Sequence, residues 1–373
     1  MAALASLPET HTVIQLTALG LEEGNFAAKQ VPLPEPSPSQ LLVKVAFAGV
    51  NPVDMKLARG DFGDWTVGLT QGKEMSGTVV AVGSAVEAGA FEIGDEVMAY
   101  CDGAGWAMAP GSFAEFIAVH AHLATKKPAA ISLEEAAAVP LAGLTAWECA
   151  RIKVEPQPGD TVLVAGASGG VGTFLVQLLR ASVGPMGRVL VTAGSDDSAD
   201  YCKETLGCDS ADILRYRGKT VEALVEEVKA MTGGAMCQCA YDLVGQDMKR
   251  LCFRCLAFDG RVASIVEEPP EGWAEDAADL WNGPKSVAFA KCLSVAFIWL
   301  GSRVVLGEEG KDSAVIAARL SGIAKEFMPG GAIAAPPIKV IGALSEGTVG
   351  EAVQLMAAGT AKGKFVIKCS ATA

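Results

Sequence analysis

The chain is short of positive charge. Its 30 lysines and arginines stand against 43 aspartates and glutamates, a net charge of −13 over 373 residues. Such a balance repels the phosphate backbone of a nucleic acid. A long apolar run is also missing. The most apolar late stretch, Cys292 to Leu300, follows Lys291 and falls well short of the roughly 20 residues that cross a bilayer, so no membrane span is expected. The first residues have neither the basic flank and apolar core of a secretory signal nor the arginine-rich character of a transit peptide, and a cytoplasmic location is expected. Ten cysteines lie scattered without the spacing of a disulfide framework and read as reduced thiols. There is no internal repeat and no low-complexity tract.

What the chain does have, near its middle, is a strand, a glycine turn and a helix in immediate succession. Thr161 to Ala165 is the β-branched, aliphatic run of a buried parallel strand. Gly166, Gly169, Gly170 and Gly172 follow, and an apolar helical segment continues from Thr173. That order places backbone N–H groups and a helix N-terminus where a pyrophosphate can sit. The next apolar run, Arg188 to Ala193, arrives one helix later and completes a βαβ unit. The same turn fits an enzyme that activates a tyrosine with a lysine four residues on, which lowers the phenol pKa. Tyr100, Tyr201, Tyr216 and Tyr241 are followed at that spacing by Ala104, Thr205, Thr220 and Gly245, which excludes that chemistry.

Read in order, the first part is rich in short strands: Thr12 to Thr17, Leu41 to Ala48, Gly77 to Val82 and Phe113 to Val119, with a proline-rich connector at Val31 to Pro38. Asn51-Pro52 turns the chain into a short helix, and Ser132 with Glu134 and Glu135 opens another. After the glycine turn strands alternate with helices: Val189 to Thr192, Ile213 to Arg215, Cys239 to Val244 and Arg261 to Val266, with an amphipathic helix at Thr220 to Met231. This is the pattern of a doubly wound α/β sheet. Glu267 to Pro284 reads as an acidic surface loop, Leu293 to Leu306 as strand-like, Asp312 to Phe327 as a helix, and Pro337 to Lys368 as strand, helix and strand.

Several stretches, in this order, resemble the medium-chain dehydrogenase/reductase superfamily, in its zinc-free quinone oxidoreductase and enone (2-alkenal) reductase branch. They are Asn51 to Lys56, Gly94 to Val97, Gly111 to Phe116, Leu141 to Ala146, Gly159 to Gly172, Tyr241 to Gly245, Asp259 to Val262 and Gly363 to Ile367. The resemblance implies a discontinuous GroES-like β-rich catalytic domain, 1–140 and 312–373, around a Rossmann dinucleotide-binding domain, 141–311. It further implies cofactor contacts from Asn51, Thr145, Ser168, Gly169, Gly170, Val171, Gly194, Ser195, Ser198, Tyr216, Val244 and Lys364. Asn51 and nearby Lys56 would serve catalysis. Where some relatives place a tyrosine beside the acceptor, this chain has Phe62. Leu293 to Trp299 resembles the edge strand through which relatives pair, so a homodimer is possible in principle.

Catalytic zinc needs a ring of cysteine, histidine and carboxylate ligands. Where zinc-dependent relatives carry their first cysteine this chain has Asn51, and where they carry the histidine of Gly-His-Glu it has Gly72-Lys73-Glu74. Cys252 and Cys255, with Cys237 and Cys239, read as core thiols, and His120 and His122 as packing or surface residues sharing one strand face. No metal is expected. What remains is hydride transfer from a nicotinamide to an already electrophilic, conjugated acceptor, a quinone or an α,β-unsaturated carbonyl. For the cofactor, Arg215-Tyr216-Arg217 resembles a family stretch whose tyrosine reaches the 2′-phosphate, which favours NADPH, although Ser198 stands where NADPH-binding relatives carry lysine. An enoyl-thioester reductase and a cofactor-binding protein with little catalysis are the alternatives.

Overall fold

Gln40–Val50 is the longest strand described, and its aliphatic, alternating sequence makes it the spine of the first of two units. The structure, a computed structural model, describes residues 7–22, 24–101, 111–267, 280, 286–302 and 311–370. By packing the chain divides into residues 1–142, 301–331 and 335–373, and residues 143–300 and 332–334.

The first unit begins with β1 (Thr10–Leu16) and β2 (Phe26–Pro32), an antiparallel pair. It continues with β3 (Gln40–Val50), the helix Pro52–Arg59, β4 (Glu74–Val82), β5 (Glu96–Tyr100), β6 (Phe116–His120) and β7 (Ala124–Lys126). The second unit holds β8 (Thr161–Ala165), the helix Gly170–Val183, β9 (Arg188–Ala193), β10 (Ile213–Arg215), the helix Val221–Met231, β11 (Cys237–Asp242), the helix Gln246–Arg254, β12 (Leu256–Ser264) and β13 (Ser294–Phe297). The chain then returns to the first unit with the helix Lys311–Lys325, β14 (Ile338–Ala343), the helix Glu346–Ala357 and β15 (Lys364–Lys368).

In the first unit the sheet order is β14-β15-β3-β4-β5-β7, with β6 also on β3. β15, from the far end of the chain, lies antiparallel to β3 and sets Phe365 against Val50 and Ile367 against Ala48. In the second unit the order is β10-β9-β8-β11-β12-β13, and every pairing is parallel. The strands wind outward from β8 in both directions, so the order reverses between β8 and β11. Ligands bind at such a switch point, beyond the carboxyl ends of the strands. The expected pairing of a β-rich domain with a doubly wound parallel sheet is therefore what the chain forms.

Local expectations fare unevenly. β2 was not expected: its residues are mostly exposed and carry no alternating apolar signal, and Pro32 is tolerated only because it ends an edge strand. The proline connector thus begins after Pro32 rather than at Val31. β6 starts at Phe116, later than Phe113, and β12 starts at Leu256, earlier than Arg261, its pairing with β11 shifting register between Leu256 and Arg261, a stretch that holds Asp259 at a φ of 58°. The strand expected over Leu293–Leu306 spans only Ser294–Phe297, and 303–306 lie outside the described residues. Of Glu267–Pro284 only Glu267 and Leu280 are described. Leu280 is buried in the core of the second unit, an apolar anchor inside an acidic stretch. His120 ends β6 while His122 lies in the following 3-10 turn, so the two do not share a strand face; their rings stack at 5.3 Å.

Tyr241, on the central strand β11, is wholly buried, and its hydroxyl donates to the Val154 carbonyl at 2.5 Å. Removing the hydroxyl leaves that carbonyl without its donor. Tyr241→Phe is expected to lower unfolding stability by about 1–2 kcal/mol, measured by denaturant titration, with nucleotide affinity unchanged.

Candidate functional site

In the second unit, β8 delivers the chain into the glycine turn. Ser168, Gly169, Gly170 and Val171 are partly exposed, while Ala167 beneath them and Gly172 behind them are buried. Gly172 has no room for a side chain: an added Cβ would strike the Gly166 carbonyl and the Ala167 backbone. Gly169, the N-cap of the Gly170–Val183 helix, is the opposite case: an added Cβ would come no closer than 3.5 Å to its nearest neighbour, the Gly166 carbonyl oxygen. One glycine closes the turn and the other leaves space in front of a helix N-terminus. Those residues fit a pyrophosphate.

The carboxyl end of β9 is built from four expected residues. Ser195 caps the helix Asp196–Asp200, its N–H donating to Ser198 Oγ at 2.9 Å, and the two hydroxyls lie 3.1 Å apart. Tyr216, just past β10, lays its phenol over Gly194, where a side chain would collide with it. Its N–H donates to Ala193 O at 3.2 Å. Arg217 Nε donates to Gly194 O at 2.6 Å, and Arg215 Nη1 pairs with Asp196 Oδ1 at 2.5 Å. The sequence treats the two arginines only as neighbours of a tyrosine; the structure ties both to the β9 end.

Val244, exposed at the end of β11, is positioned by Asp242. Asp242 Oδ1 accepts the N–H groups of Val244 at 3.1 Å and Gly245 at 2.7 Å, and Oδ2 accepts the Ser264 hydroxyl at 2.7 Å. Buried Lys249 lies 3.9 Å from Oδ2 and donates to Val266 O at 2.8 Å. Thr145 is buried in the short helix Leu144–Trp147.

In the first unit three segments distant in sequence meet. Asn51 is the N-cap of the Pro52–Arg59 helix, and its N–H donates to Asp54 Oδ2 at 2.8 Å. Asn51 Nδ2 donates to Glu74 Oε1 at 2.7 Å, and Asn51 Oδ1 accepts from Lys364 Nζ at 2.7 Å. Lys364 also reaches Glu74 Oε1 at 2.5 Å and Val50 O at 3.1 Å, while Glu74 Oε2 accepts the Leu141 N–H at 2.7 Å. Asn51, Glu74, Lys364, Asp54 and Lys73 are all buried. Asn51 and Lys364 were each expected as a cofactor contact, and the structure bonds them to each other. Glu74 was visible only as part of Gly-Lys-Glu, and no local pattern marks it as their partner.

Lys56 does not join this network. It is half-buried on the Pro52–Arg59 helix, toward Asp61, whose carboxyl is held low mainly by the Arg59 hydrogen bond and more weakly by Lys56. Asp54 is the perturbed acid of the cluster. Burial pushes its carboxyl up to about 7, against the Asn51 N–H and the ammonium groups of Lys73 and Lys364, with Glu74 adding to the rise. Cys237 and Cys239 are pushed up to about 12 by burial, and Cys252 and Cys255 are likewise raised. All four are buried core thiols.

Two family models match: "Alcohol dehydrogenase GroES-like domain" over residues 37–129 and "Zinc-binding dehydrogenase" over 170–288. Among curated proteins, a "Probable quinone oxidoreductase" of Schizosaccharomyces pombe is 31% identical over 242 residues, covering 62% of this chain and 65% of that protein. The "Trans-enoyl reductase fsr4" of Gibberella fujikuroi is 31% identical over 225 residues, 58% of this chain and 63% of that one. The chain spans 50% to 65% of the length of these two curated relatives and of two further ones, human and bovine. Among solved structures, mycobacterial Rv1454c complexed with NADPH superposes with a TM-score of 0.76 at 26% identity, over 96% of this chain and 100% of that one.

Two outcomes test the geometry. Gly169→Val is expected to fold with near-normal stability yet weaken dinucleotide binding about ten-fold or more, whereas Gly172→Ala, which overpacks the turn, is expected to lower stability by about 1–3 kcal/mol; calorimetric binding and thermal unfolding read the two. Asp54 holds a proton in the folded state that the unfolded chain has released above its ordinary value of 3.8. Its contribution to stability is therefore fully present below that value and lost as pH rises toward 7. Denaturant midpoints measured from pH 4 to 8 should show this loss in the parent protein and a flatter profile in Asp54→Asn.

Proposed function

We propose a function from one fact: the chain belongs to the medium-chain dehydrogenase/reductase superfamily. Our reading is an NADPH-dependent oxidoreductase that works without a metal and reduces a quinone, or the carbon–carbon double bond of an α,β-unsaturated carbonyl.

The observation that carries the metal-free reading is the closed buried network of Asn51, Glu74 and Lys364. Both Glu74 oxygens are engaged by protein donors, and the amide oxygen of Asn51 by an ammonium. A second ammonium, Lys73, is buried beside them. Although one matching family is described by zinc binding, this donor set offers a metal neither thiolate nor imidazole. It offers fixed positive charge and one further Asn51 Nδ2 hydrogen instead. Donors of that kind stabilise negative charge developing on an oxygen, but less strongly than a Lewis acid does. They suffice where conjugation already spreads the charge, and not where hydride must reach an isolated carbonyl.

Ser168 to Val171 would hold the pyrophosphate, and Gly194, Ser195, Ser198 and Tyr216 the adenosine end. The nicotinamide, when bound, supplies hydride. Support for this cofactor comes from the 2′-phosphate-compatible arginines and from the NADPH complex of the mycobacterial protein. An enoyl-thioester is a second acceptor of the same electronic kind, favoured by the trans-enoyl reductase relative. β13 and the residues just after it, which expose Val295, Phe297 and Trp299, are where we place a second copy of the chain.

The deciding experiment follows NADPH and NADH oxidation against quinones, enals, enones and an enoyl-thioester, with product identification. The expected product from an enone is the saturated carbonyl, formed at an undiminished rate in chelator. An allylic alcohol, or loss of rate together with one bound zinc per chain, would overturn the reading. Tight NADPH binding with no turnover of any acceptor would instead make this a binding protein.

A further inference from the structure

We propose that Asp196 sets how strongly the chain prefers a 2′-phosphorylated nucleotide, by holding Arg215 in an ion pair, and that Arg217 is the cation the phosphate meets directly. The proposal rests on the NADPH reading above and goes beyond it by naming the residues that decide the preference.

Arg217 is prepared for an anion. Its Nε donates to Gly194 O at 2.6 Å, which fixes the plane of the guanidinium against the residue that opens the loop after β9. Its two terminal amino groups have no partner among the described residues, so the Nη1–Nη2 edge remains for a phosphate, the two-pronged contact arginine makes best. The Tyr216 hydroxyl, lying over Gly194, likewise has no protein partner among them. A cation, a phenol and the Gly194 backbone thus converge at the end of β9.

Arg215 is close by but engaged. Its Nη1 meets Asp196 Oδ1 at 2.5 Å, and the side chains are 47% and 91% exposed. An ion pair so exposed contributes little to stability, so a dianionic phosphate can displace the carboxylate. The carboxylate nevertheless competes for the arginine and repels the phosphate. Ser195 and Ser198 offer no countercharge, since their hydroxyls serve each other and the cap. A carboxylate near the end of the second strand is also what favours an unphosphorylated ribose. One residue therefore pulls against the phosphate in two ways, and the preference for NADPH is tempered rather than absolute.

The test titrates the full chain with 2′,5′-ADP and with 5′-AMP by calorimetry, which needs neither nicotinamide nor turnover. The parent should bind 2′,5′-ADP more tightly, by a margin that shrinks as salt is raised. Asp196→Asn should increase 2′,5′-ADP affinity about two- to five-fold, the range of an exposed ion pair, with 5′-AMP unchanged. Arg217→Met should lower 2′,5′-ADP affinity about ten-fold, the size of a charge-assisted hydrogen bond, again sparing 5′-AMP, and Arg217→Lys should restore part of the loss. Unchanged 2′,5′-ADP affinity in Asp196→Asn would overturn the role of Asp196. A parallel loss of both nucleotides in Arg217→Met would overturn that of Arg217 and make it a brace for the loop. Equal binding of both by the parent would overturn the NADPH preference itself, while binding of neither would overturn the whole dinucleotide reading.

Discussion

A carboxylate shut away from water organises the first unit. Glu74 opens β4, and its two oxygens accept from Lys364, Asn51 and Leu141. Lys364 arrives 290 residues later in the chain and can do so only because β15 pairs with β3 in the register that puts Phe365 against Val50. Removing one partner of a buried pair costs roughly 3–5 kcal/mol, since the other charge is left uncompensated. The pairing of the chain's far end with its early strands, the cap of the Pro52–Arg59 helix and the orientation of Asn51 are thus one arrangement seen from three sides.

The second unit repeats the device at a smaller scale. Asp242 is fully buried at the carboxyl end of β11, and the groups compensating it are two backbone N–H groups, a serine hydroxyl and a lysine. These bonds shape the Leu243–Gly245 corner next to the switch point between β8 and β11. In both units a buried acid at a strand end fixes loop geometry, and the expected ligand-binding residues lie one or two bonds away. Buried polar groups that are fully partnered rigidify their surroundings, which is what a binding site needs from its scaffold.

How much of this the sequence discloses depends on whether the signal is local. The β8 strand, the glycine turn and the helix after it are contiguous, so their spacing alone marks the candidate nucleotide site. Ser132 and Asn51 reveal their helix caps for the same reason. Glu74 is the contrary case: its meaning comes from Lys364, and no window of adjacent residues contains both. β2 was hidden because an exposed edge strand carries no periodic apolar signal. Leu280 was hidden because a single buried leucine inside an acidic run looks like composition rather than packing. Arg217 sits in plain view in Arg215-Tyr216-Arg217, yet only its bond to the Gly194 carbonyl separates it from Arg215, which an aspartate already holds. The lysine singled out near Asn51 by proximity in sequence, Lys56, turns toward Asp61, since five residues along a helix is not the same face as the cap.

Nine of the ten thiols are buried, and Cys292 alone is exposed. For those in the core, burial raises the pKa, to about 12 at Cys202, Cys237, Cys239 and Cys369, and the protonated sulfur is a poor nucleophile. Quinones and enals are alkylating agents that add to thiolates by conjugate addition. Under the function proposed above, the protein would present such compounds with a single exposed thiol, on the turn that leads into β13. Were those its substrates, packing alone would shield nine of the thiols from them, and the first adduct to form would mark Cys292.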